Sequence, residues 1–110
     1  IDSDRENSSS LDTENEEYCK QLVLDGHSAV VTKKREIENY LDETLVGVTF
    51  NDYDDAKHLI SSTNNVSMSK VIDVYWPSMT AQQILDRSKY QDGAEEKYEI
   101  LEILEAIITL

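Results

Sequence analysis

The chain has 110 residues, enough for one domain with a modest core. An ordinary hydrophobic fraction of 39% excludes disorder throughout. Ten basic against 23 acidic side chains give a net charge of −13, which excludes a module that grips a nucleic-acid duplex by its own basic surface. In chain order, residues 1–3 read as the end of a strand. Strand side chains alternate in direction, so Asp2 and Asp4 are expected to point the same way. Residues 5–12 are polar and serine-rich and read as a loop. Thr13, with Glu16 three residues on, forms a capping-box pattern and opens a helix over about 14–24, stopped by Gly26. The β-branched run at 28–32 reads as a buried parallel strand.

Strand, helix, strand is the crossover unit of a parallel α/β sheet, and ligands in such sheets bind beyond the carboxyl ends of the strands. Asp4 and the segment Lys33–Glu38 both fall there. Further on, residues 35–46 read as a helical turn and loop. Asp52 is expected to cap a helix running through Ile60, with a polar break at 61–65. Residues 67–75 suit an amphipathic helix ended by Pro77. Thr80 and Gln83 form a second capping box for a helix over about 81–89. Asp92-Gly93 is a turn. A last helix is expected from about 94, with Ile100, Leu101, Ile103, Leu104, Ile107 and Ile108 on one face and Glu95, Glu99, Glu102 and Glu105 on the other. The expected class is α/β: a partial parallel sheet over 1–46, then a mainly helical region over 47–110.

Carboxylates carry the chemical signal. Asp2 and Asp4 at a strand end suit a hard divalent cation, and Glu36 and Glu38 bring two more oxygen ligands. The bland alternatives are a polar strand end and an acidic first turn of a helix. Glu36 and Glu38 lie two apart, so on a helix they would not share a face.

Asp2-x-Asp4, followed at this distance by Arg35-Glu36-Ile37-Glu38-Asn39-Tyr40, resembles the second half of a Toprim metal-dependent nuclease domain, closest to the OLD (overcoming lysogenization defect) family. The resemblance covers roughly residues 1–46. It implies a Toprim-like sheet and a Mg²⁺ or Mn²⁺ centre with Asp2, Asp4, Glu36 and Glu38 as ligands. Asp2, Asp4 and Glu38 are its catalytic residues, and Glu38 is a better candidate than Glu36. It further implies DNA as substrate of the full-length protein, an ABC-type ATPase domain or subunit as partner, a homo-oligomer, and antiphage defence. The family's domain opens with a strand ending in a catalytic glutamate, and none precedes Ile1. The chain is therefore expected to be the C-terminal part of such a domain, inactive alone. The family also uses a downstream lysine against phosphate, and Lys57, Lys70 and Lys97 are equal candidates by local pattern.

The alternative is an acidic, non-enzymatic interaction domain, a DNA mimic or immunity-type inhibitor, motivated by the charge. Mimicry spreads acids over an exposed face; metal catalysis gathers a few at one point. A third reading keeps the fold only as a scaffold for an ATPase. Cys19 is the single cysteine, read as core packing in a reducing, cytoplasmic setting. His27 and His58 lack partners at ligand spacing. No run approaches a membrane span, so no membrane is expected.

Overall fold

A computed structural model describes residues 1–8, 10, 13–27 and 29–108. Ser9, Leu11 and Asp12 of the expected first loop, Ser28 of the expected second strand, and residues 109–110 lie outside the described residues, as does the side chain of Ile107.

The described chain is mostly helical with one small sheet. Helix α1 spans Glu14–Leu24. Thr13 caps it by accepting from the Glu16 N–H, and the Glu16 carboxylate turns to Arg5, which donates to it through two nitrogens at 2.7 Å. Three acids in the first turn meet the positive end of the helix dipole. Gly26, at φ 88°, takes the left-handed conformation that lets the chain turn back.

Among the described residues, the expected parallel sheet is not formed. Residues 1–3 and 29–32 run side by side without becoming strands. One rung joins them: the Ile1 amino group donates to the Val30 carbonyl at 3.0 Å, and the Thr32 N–H donates to the Ile1 carbonyl at 2.9 Å. Those two bonds flank Val31 in the parallel pattern. Beyond it, side chains interrupt the ladder. The Ser3 N–H goes to the Thr32 hydroxyl, and the Ser3 hydroxyl goes to the Lys34 carbonyl. Asp4 then leaves the extended region at φ 59°.

The 3₁₀ turn Ile37–Tyr40 leads into a one-turn helix α2, Glu43–Val46, capped by Asp42. Helix α3 spans Ala56–Asn64. Its cap is Asp55, which accepts from the His58 N–H, and not the expected Asp52. The reason lies in the preceding turn: Asn51 and Asp54 bond backbone N–H groups of this stretch, while Asp52 reaches the Lys34 ammonium at 3.4 Å. The polar stretch after Ile60 is no break either. The helix continues to Asn64 and stops at Asn65, at φ 54°. Residues 68–78 form a 3₁₀ turn, helix α4 (Val71–Tyr75) and a second 3₁₀ turn at Pro77. Helix α5, Ala81–Ser88, carries the reciprocal Thr80–Gln83 capping box its sequence announces.

The last helix begins later than its periodicity indicates. Lys89–Asp92 (β1) and Glu95–Tyr98 (β2) pair as an antiparallel hairpin around Gly93-Ala94, and helix α6 spans Glu99–Ile108. Gly93 holds φ 62° at the first turn position, where a two-residue hairpin requires a left-handed residue. Asp92 opposite Glu95 would repel, and the Lys97 ammonium at 2.6 Å from Asp92 offsets this.

Leu41, Val46, Phe50, Ala56, Ile60, Val71 and Met79 form the core. It therefore draws on residues from both sides of the expected 46/47 division. Trp76 and Tyr75 pack against it, as does Ile84. Among the described residues, no helix is long and apolar enough to cross a membrane.

Candidate metal centre

Three carboxylates meet where the extended N-terminal segment touches the 3₁₀ turn. Asp2, Glu36 and Glu38 each offer an oxygen, and these lie within 4.8 Å of one another. Glu36 and Glu38 are buried, at 7% and 5% exposure. They converge although a helix would separate them. Glu36 precedes the turn with extended backbone, φ −149° and ψ 167°, so the helical facing rule does not govern the pair. Asp2 is held from both ends. Its side chain accepts from the Ile37 N–H at 2.9 Å, and Asn15 donates to its carbonyl at 2.9 Å.

Asp4 is not in this group. Its left-handed backbone breaks the alternation that would have aligned it with Asp2, and its carboxylate accepts from Asn15 at 2.7 Å instead. Of the four expected ligands, three are brought together and Asp4 is set aside, accepting from Asn15 of α1.

The turn beneath Glu36 and Glu38 is over-determined. Asn39 is fully buried. It accepts from the Glu36 N–H at 3.1 Å and donates to the Asn51 and Asp54 carbonyls, both at 3.0 Å. Arg87 on α5 caps the same stretch, donating to the Asn39 carbonyl at 2.9 Å and the Leu41 carbonyl at 3.1 Å. Helix α3 supplies the neighbouring cation. The Lys57 N–H donates to Glu36 Oε1 at 2.8 Å, and Lys57 Nζ stands 3.9 Å from Glu38 Oε2. Among the three candidate lysines, Lys57 alone has a described contact with these carboxylates; Lys70 pairs with Asp73 and Lys97 with Asp92. The basic run is also engaged internally. Lys34 is buried over the Tyr40 ring, burial and the Arg87 charge lowering its pKa, and Arg35 donates to the Tyr53 carbonyl. Lys33 stands 4.5 Å over the Tyr90 ring.

Electrostatics mark the site as short of positive charge. Burial pushes the Glu36 carboxyl up from 4.5 to about 7, and the nearby Glu38 and Asp55 charges push the same way. Lys57 offsets only part of this. Burial raises Glu38 too, with Asp2 and Asp55 adding to it. Glu38 Oε1 is buried with no hydrogen-bond partner. An orphaned carboxylate oxygen of this kind is destabilising by about 1–3 kcal/mol. An all-oxygen donor set with one unsatisfied oxygen fits a hard divalent cation.

Sequence reasoning named Asp2, Asp4, Glu36 and Glu38 but could not select Lys57. It missed Asn15, Arg87 and Glu99, whose contacts with this region carry no local pattern. Compared with family models, curated proteins and solved structures, the chain matches none.

Proposed function

We propose that this chain is the second half of a divalent-metal-dependent DNA endonuclease centre of the Toprim type, OLD-like, acting with an ATPase domain or subunit in antiphage defence. The convergence of Asp2, Glu36 and Glu38, with Glu38 Oε1 unpartnered, is the observation that carries the reading.

In this reading Asp2, Glu36 and Glu38 hold Mg²⁺ or Mn²⁺. Such an ion supplies Lewis-acid stabilisation and an activated water for phosphodiester hydrolysis. The chain's own residues do the rest. Ile37 N–H and Asn15 orient Asp2, Asn39 and Arg87 hold the turn, and Lys57 presents a cation for a phosphate oxygen. The net charge of −13 leaves duplex binding to basic surface outside this chain.

The same charge also fits an acidic interaction module. Three converging carboxylates, two of them buried and Asp2 half-buried, argue against it, because mimicry of a phosphate backbone uses exposed acids spread over a face. Isothermal titration with MnCl₂ separates the readings. The metal reading expects saturable binding that Asp2→Asn and Glu38→Gln each weaken about 10-fold or more. No binding by the wild-type chain, together with tight, salt-sensitive binding to a basic nuclease, would move the assignment to the interaction module.

A further inference from the structure

The segment carrying Glu36 and Glu38 is tied at both ends to one side chain far along the sequence. Glu99, the first residue of α6, is 5% exposed. Its Oε2 accepts from the Lys33 N–H at 3.0 Å, and its Oε1 accepts from the Tyr40 hydroxyl. That hydroxyl in turn accepts from the Lys34 N–H at 3.2 Å. Lys33 and Tyr40 bracket the metal-site acids, so two oxygens of one carboxylate close the stretch between them into a loop.

A buried carboxylate is costly unless its oxygens are bonded, and here both are. Its place in the first turn of α6 also sets it at the positive end of that helix. Glu99 was expected on a solvated face; the hairpin β1–β2 delays the helix and delivers this acid to the interior instead.

We propose that Glu99 and Tyr40 act together as a clamp that positions Glu36 and Glu38 for a divalent cation. The inference rests on the metal reading above. Glu36 and Glu38 repel each other when both are charged. Asn39, Arg87 and the Lys57 N–H hold the middle of this stretch, and Glu99 holds its two ends, at Lys33 and Tyr40. Closing the loop through Glu99 keeps both converged before any cation arrives, so the ordering cost is met in folding and not in binding. It also makes α6 a support of the site.

The test is Mn²⁺ affinity, read as free-ion signal by electron paramagnetic resonance, beside the unfolding midpoint in EDTA. Tyr40→Phe removes only the hydroxyl, and Glu99→Gln puts an amide where two donors must be met. Each is expected to weaken Mn²⁺ binding about 10-fold, and the double variant no more than the worse single, because the pair works as one unit. Glu99→Gln makes the test if Tyr40→Phe does not fold. Thr80→Ala, at the remote cap of α5, is the control: it lowers the midpoint and leaves Mn²⁺ affinity at the wild-type value. Wild-type affinity in folded Tyr40→Phe and Glu99→Gln would overturn the clamp and leave the metal site standing. No Mn²⁺ binding by the wild-type chain would remove the site and the clamp with it.

Discussion

Glu36→Gln is expected to stabilise the metal-free protein while removing its response to metal. The folded environment holds the Glu36 carboxyl at about 7 against an ordinary 4.5. A folded pKa raised in this way means that the neutral form is the one the fold favours. The associated stability is fully present below pH 4.5 and is lost as pH rises through about 7. At about 1.4 kcal/mol per pH unit, the 2.5 units between 4.5 and about 7 put the loss above pH 7 at about 3.5 kcal/mol from this one group. Glutamine keeps an oxygen for the Lys57 N–H and cannot ionise, so it escapes that loss. For a domain of this size, 1 kcal/mol moves the midpoint by about 4–8 °C. The assay is thermal unfolding by circular dichroism at pH 4.5 and pH 8, first in EDTA and then in 1 mM MnCl₂. In EDTA, the variant should match wild type at pH 4.5 and exceed it by roughly 10–25 °C at pH 8. In manganese, wild type should gain at pH 8 and the variant should not. A variant less stable than wild type at pH 8 in EDTA would refute the reasoning, since it would mean that the ionised Glu36 is a stabilising partner and not a strained ligand.

Three other outcomes follow from the same structure. Protons and metal compete for Glu36, whose carboxyl sits at about 7, and for Glu38, which burial also raises, so Mn²⁺ affinity measured by titration calorimetry should climb as pH rises toward about 7, with proton release; a flat profile would count against both ligands. Asp2→Asn should weaken Mn²⁺ binding about 10-fold or more while Asp4→Ala leaves it within about 3-fold, because Asp4 faces Asn15; equal losses would return Asp4 to the site. Ile60→Ala, fully buried in the core beneath α3, should lose about 2–5 kcal/mol in urea unfolding, well above any exposed position of the same helix.

Local signals were read correctly where the physics is local. Thr13 and Thr80 cap helices because a hydroxyl three residues ahead of a free N–H needs no tertiary partner. Pro77 and Gly26 act through their own backbone limits. The hairpin was illegible because Lys89–Asp92 and Glu95–Tyr98 show no apolar alternation; Asp92-Gly93 announced a turn, not the strands beside it. Asp55 displaced Asp52 as a cap because Lys34, distant in sequence, claims Asp52. The parallel sheet was inferred from one short apolar run, and hydroxyl side chains of Ser3 and Thr32 took bonds that a ladder would have used.

By itself the sequence determined the helix starts at 14 and 81, the net charge of −13, and two acidic pairs as ligand candidates, Asp2 with Asp4 and Glu36 with Glu38. Only the tertiary structure decided that Asp2 joins them and Asp4 does not, that Lys57 stands beside them, and that Glu99 braces their loop from the far end of the chain. The physical reason is range. Caps and turns depend on backbone groups a few residues away, whereas the meeting of Asp2 with Glu36 and Glu38 depends on bonds between distant segments and on burial that only a packed core creates, and the left-handed backbone at Asp4 keeps that carboxylate out.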